Sequence, residues 1–106
     1  MARAIVNVPS SAKRGAVIEI KTLAQHAMET GFRRTQLGEV IPRNIIRSFA
    51  CIYDGEEVFR AELHSAIAAN PALTFTTVAT RSGTIEFKWS GDNGYALTQT
   101  ARITVE

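Results

Sequence analysis

The stretch Ile45-Ile46-Arg47-Ser48-Phe49-Ala50-Cys51-Ile52-Tyr53-Asp54-Gly55-Glu56-Glu57-Val58-Phe59-Arg60-Ala61-Glu62-Leu63 decides the fold. Residues 45–53 are rich in β-branched and aromatic side chains, and both faces of the run are largely apolar. Ile45, Phe49, Cys51 and Tyr53 fall on one face; Ile46, Ala50 and Ile52 fall on the other. Two apolar faces predict a central strand, or one whose second face meets another chain. Asp54-Gly55 follows, and glycine tolerates the positive φ that a type I′ hairpin turn demands. Residues 58–63 then read as the returning strand.

The same rhythm extends in both directions. Over 84–90, Ile85, Phe87 and Trp89 point one way while Glu86 and Lys88 point the other. Residues 73–80 alternate, and 95–105 place Leu97, Ala101, Ile103 and Val105 opposite the threonines and Arg102. Toward the N-terminus, 16–23 sets Ile18 and Ile20 against Glu19 and Lys21, and 4–8 is a short strand closed by Pro9. Ser82-Gly83 and Asp92-Asn93-Gly94 are turns, and 65–71 is a connection or one helical turn. About seven strands, with turns every ten or so residues and no amphipathic helix, predict an all-β fold. The expected architecture is an immunoglobulin-like antiparallel two-sheet sandwich, in one domain over residues 1–106.

Composition narrows the function. Of 106 residues, 45% are hydrophobic and 21% charged, which supports a core without disulfides or metal. Cys51 is the sole cysteine, so no internal disulfide can form. The net charge is +2, and the basic groups (Lys13-Arg14, Arg33-Arg34, Arg43, Arg47) are interspersed with carboxylates. Nucleic-acid surfaces carry denser basic stripes with aromatic residues between them, so no nucleic-acid partner is expected. No segment approaches the ~20 apolar residues of a membrane span, so no membrane partner is expected either. Arg3, Asn7 and Pro9 interrupt the first residues, which do not read as a signal peptide.

One segment breaks the rhythm. Between Leu23 and Arg43, roughly twenty residues show no clean periodicity, and loops of that length in compact domains are usually functional or disordered. Met28, Phe32, Leu37, Val40 and Ile41 argue against disorder, because they need something to pack on. Arg33 and Arg34 lie in the loop, and Arg43 and Arg47 border the doubly apolar strand. Charge around an apolar centre is the pattern of a protein interface, so the candidate partner-binding set is His26, Met28, Glu29, Phe32, Arg33, Arg34, Arg43 and Arg47.

Catalytic residues, cofactors and bound metals are not expected. No Ser/His/Asp set or phosphate-binding loop is present, and two histidines with scattered carboxylates single out no acid–base pair. A reactive Cys51 needs a depressed pKa and exposure, and its sequence neighbours supply neither; a packed thiol is the favoured reading, with a sulfur-handling carrier thiol as the alternative. His26 and Met28 together suit Cu(I). The spacing is equally that of a loop histidine bonded to backbone beside a gap-filling methionine.

The order of several blocks resembles the SoxZ family of bacterial thiosulfate oxidation. They are Arg14-Gly15, Val17 to Leu23, His26-Ala27-Met28-Glu29-Thr30-Gly31, Gly38-Glu39-Val40-Ile41-Pro42-Arg43, Asp54 to Phe59, Ala69-Asn70-Pro71 and Gly83 to Phe87. Ala27 departs from the proline common there. The resemblance spans about Ile5 to Glu106, and implies an immunoglobulin-like, non-catalytic subunit that pairs with SoxY. In that complex SoxY holds the sulfur intermediate on a cysteine in a glycine-rich C-terminal tail and presents it to successive periplasmic Sox enzymes. Cys51 does not match that cysteine. The resemblance also implies periplasmic localisation by co-export with SoxY. For a binding subunit studied in isolation, self-association through its uncovered surface is expected.

Overall fold

Alternating side chains set the strands, and a computed structural model of the chain describes residues 3–106. The strands are β1 (Arg3–Asn7), β2 (Ser11–Ala12), β3 (Val17–Gln25), β4 (Ile46–Tyr53), β5 (Glu56–Glu62), β6 (Ala72–Val78), β7 (Gly83–Gly91) and β8 (Ala96–Val105). All seven expected strands form. The two-residue β2 carries no sequence signal and forms by pairing parallel to the end of β8. The other pairings are antiparallel, and the strands divide into a three-stranded sheet, β1-β3-β6, and a five-stranded sheet, β2-β8-β7-β4-β5. The expected sandwich is therefore correct, with one parallel pairing added. The segment between β5 and β6 is a series of turns without a helix, and among the described residues no helix is long and apolar enough to cross a membrane.

Period-2 alternation buries one face of each sheet. In β3, Ile18, Ile20, Thr22 and Ala24 point inward; in β7, Ile85, Phe87 and Trp89 do the same. Asp54 and Gly55 both adopt positive φ, 49° and 83°, as the β4–β5 hairpin requires. Phe49 is fully buried at the centre, with ring centroids 5.1 Å from Trp89, 6.1 Å from Phe59 and 5.9 Å from Phe75 on the opposite sheet. Phe59 and Phe75 stack at 4.2 Å and carry the contact across the sandwich.

The faces of β4 differ from the expected pair in one respect. Phe49, Cys51 and Tyr53 are buried as a set, and Ala50 and Ile52 lie on the outer side with Ser48. Ile46 crosses to the core: it is fully buried beside Ile45. The reason is a break in register between Ile46 and Ser48 opposite β7, which inserts one residue and reverses the phase of the strand. Gly91 makes the irregularity feasible, since a Cβ there would lie 2.8 Å from Ile46 Cα.

Replacing Phe49 by Ala is expected to destabilise the protein by about 3–5 kcal/mol, the cost of deleting a large core aromatic. Val17→Ala, on the exposed outer face of β3, should stay within about 0.5 kcal/mol. Urea unfolding midpoints of the two variants test the contrast.

Candidate functional site

The segment leaving β3 is ordered by its own backbone. Glu29 and Asn44 exchange two 2.9 Å hydrogen bonds, Ile41 N donates to Arg33 O at 2.9 Å, and Thr35 N donates to Glu39 O at 2.8 Å. Instead of the expected aperiodic loop, residues 29–44 form a two-legged arm that turns back at Gly38, where φ is 85°. Thr35 caps the turn, its hydroxyl accepting from Leu37 N and Glu39 N. Too few ladder bonds form for period-2 alternation to develop, which is why the sequence shows none. The molecule measures 60 × 20 × 19 Å with a radius of gyration of 16.2 Å, against roughly 13 Å for a compact chain of this length.

Three features root the arm. Met28 is buried, with φ of 54°, and its Sδ accepts from Ile46 N at 3.2 Å. His26 Nδ1 accepts from Met28 N at 2.9 Å, its backbone brackets Asn70 through two further bonds, and its ring meets Tyr95 edge-on at 4.8 Å. Burial lowers the His26 pKa below its ordinary value, against a smaller opposing pull from Asp92. Asp92, in the turn after β7, forms a two-bond ion pair with Arg43 and accepts from Ile45 N at 3.2 Å. The Arg43 hydrogen bonds hold the Asp92 carboxyl below the usual carboxylate range, and the Arg33 hydrogen bonds do the same for Glu29.

The candidate residues thus separate into two groups. Met28 and His26 help root the arm: Met28 faces the core and its Sδ accepts the Ile46 N–H, while His26 Nδ1 accepts the Met28 N–H. Glu29 is tied to Arg33, Arg34 reaches Gly38 O at 2.9 Å, and Arg43 is tied to Asp92. Arg47 is exposed at the rim of an open cleft of about 450 Å³ that also meets Arg43, Glu62 and His64. Phe32 alone of the set is an exposed apolar group, at 83%, and the structure adds Leu37 at 87% and Val40 at 51% beside it on the arm. Their signal in the sequence was their apolar character within an aperiodic segment. Asp92 had no such signal, being 49 residues from its partner Arg43.

Cys51 lies at the centre of β4 with no accessible surface, and burial pushes its thiol up to about 12. A thiol held protonated and out of reach is a poor nucleophile. Among the described residues, no three His, Cys, Asp or Glu side chains converge as a metal set.

Two measurements follow from this geometry. Cys51 should resist thiol-specific labelling at pH 8 in the native protein and react fully in denaturant; stoichiometric labelling of the native chain would contradict its burial. Asp92 has a folded pKa below its unfolded one, so its contribution is complete above the ordinary carboxylate range and is lost as pH falls through the depressed value. Unfolding midpoints should therefore drop between pH 6 and pH 3, and less steeply in Asp92→Asn.

Comparison with known proteins agrees with this architecture. The chain resembles superoxide reductase (neelaredoxin) from Ignicoccus hospitalis, with TM-score 0.77 at 16% identity, over 97% of this chain and 80% of that one. A putative superoxide reductase from Thermotoga maritima gives TM-score 0.73 at 21% identity, over 97% and 85%. The sulfur carrier protein SoxY from Chlorobium limicola f thiosulfatophilum gives 0.65 at 8% identity, over 97% and 78%. At such identities the likeness establishes the fold alone. No curated protein matches in sequence. The family described as sulphur oxidation protein SoxZ matches residues 6–102, nearly the whole chain, and the protein belongs to the SoxZ family.

Proposed function

We propose that this chain is a non-catalytic partner subunit of a SoxYZ sulfur carrier, binding SoxY through its arm. SoxY holds the sulfur intermediate on its C-terminal cysteine; this chain steadies SoxY and helps present that intermediate to Sox enzymes. Co-export with SoxY places the pair in the periplasm. Membership of the SoxZ family assigns the chain to sulfur oxidation, and one observation supports the mode of action. Phe32, Leu37 and Val40 stand in solvent on an arm whose backbone is already hydrogen-bonded. Covering a large apolar side chain is worth about 1.5–3 kcal/mol, and an ordered arm loses little conformational entropy when it docks. Buried, protonated Cys51 fits a supporting subunit better than a carrier.

Co-expression with a SoxY-like protein should yield one stable heterodimer at micromolar concentration in size-exclusion chromatography. Phe32→Asp and Leu37→Asp should each weaken it by roughly 2 kcal/mol, about thirtyfold, with the unfolding midpoint of the isolated chain unchanged. Separate elution of the wild-type proteins would sink the proposal; an undisturbed complex in both variants would remove the arm from it.

A further inference from the structure

The sandwich leaves strand edges open, and most are blunted in the ways that discourage pairing. β5 carries Glu56, Glu57, Arg60 and Glu62 and has a register irregularity against β4. β1 has five residues and begins on Arg3, while the edge of β8 is partly covered by β2. β6 differs. Its seven residues, Ala72-Leu73-Thr74-Phe75-Thr76-Thr77-Val78, contain no charge and no proline, and pair with β3 in unbroken register. Natural edge strands seldom go without such protection unless they are paired.

The ladder fixes which backbone groups are free. Ala24 N donates to Pro71 O and Ala79 N to Ala16 O. With the register of β3 against β6, those bonds make Ile18/Thr77, Ile20/Phe75 and Thr22/Leu73 the hydrogen-bonded pairs. Thr74, Thr76 and Val78 therefore turn their N–H and C=O groups away from β3, and among the described residues no strand receives them. All three side chains are exposed. A gap of about 260 Å³ opens beside the Val78 end, between β6 and β5.

We propose that two copies of this chain join edge to edge through β6, antiparallel about a two-fold axis at Phe75. That register pairs the whole strand. Thr74 meets Thr76 of the second copy, Ala72 meets Val78, and about eight new backbone hydrogen bonds close. The two three-stranded sheets become one continuous sheet of six strands. The strand is self-complementary: no like charges oppose one another, and the threonine pairs are favourable cross-strand neighbours. The same operation on β5 would set Glu56 against Glu62. The edge uses no residue of the arm, so two arms remain available on such a pair.

Sedimentation equilibrium on the full chain tests this. The wild type should move from monomer to dimer mass across the micromolar to millimolar range, and the amide of Thr76 should become more protected from exchange as concentration rises. Thr74→Lys/Thr76→Lys places lysine opposite lysine at both pairs and should raise the dissociation constant about tenfold or more. Thr76→Pro removes an outward N–H and no bond to β3, and should act in the same direction. Phe32→Asp should leave the dimer intact, which separates this result from failure of the SoxY reading. A wild type that stays monomeric throughout overturns the proposal, as does a dimer that forms without protecting Thr76.

Discussion

The contact of Phe49 with Phe75 joins the two sheets. Phe49 stands on β4 in the middle of the five-stranded sheet, against Trp89 and Phe87 of its own layer and Phe75 of the other. Aromatic rings supply most apolar area per residue and prefer the offset and edge-on arrangements found here. Once that contact is made, the remaining inward positions are fixed by alternation. Ile18 and Ile20 on β3, and Ile85 and Ile103 on β7 and β8, can lie nowhere but in the same layer.

The end of β4 turns this regular core into an anchor. The extra residue between Ile46 and Ser48 places Ile45 and Ile46 both in the interior and leaves Arg47 outside. Ile46 N then meets Met28 Sδ, and Ile45 N meets Asp92, which also holds Arg43. Gly31 completes the root: with φ of 89°, it lets the arm's two legs close to a distance at which a Cβ would lie 2.9 Å from that of Arg43. The arm is thus continuous with the core at its base and free of it beyond. Its order comes from backbone hydrogen bonds and turn capping, which need no buried side chains, so its apolar groups are left facing water.

Chemistry and exposure are separated in this molecule. Its one thiol is in the core, where the charged thiolate is disfavoured by the absence of water. Its exposed features are the apolar side chains of the arm and the uncharged edge of β6.

The strands and most of their inward faces followed from the sequence because they depend on neighbours two residues apart, and period-2 burial is written directly in the order of side chains. The family was equally legible, through blocks such as Met28-Glu29-Thr30-Gly31 and Ile41-Pro42-Arg43. What the sequence could not determine depended on partners far along the chain. The crossing of Ile46 into the core needed the register of β7, the pairing of Arg43 needed Asp92, and the burial of Met28 needed Ile46. The aperiodic segment announced that something unusual lay between residues 24 and 43. Only tertiary structure decided that its methionine is a root and its Phe32, Leu37 and Val40 are an exposed face, because burial is a property of what surrounds a side chain and not of the side chain itself.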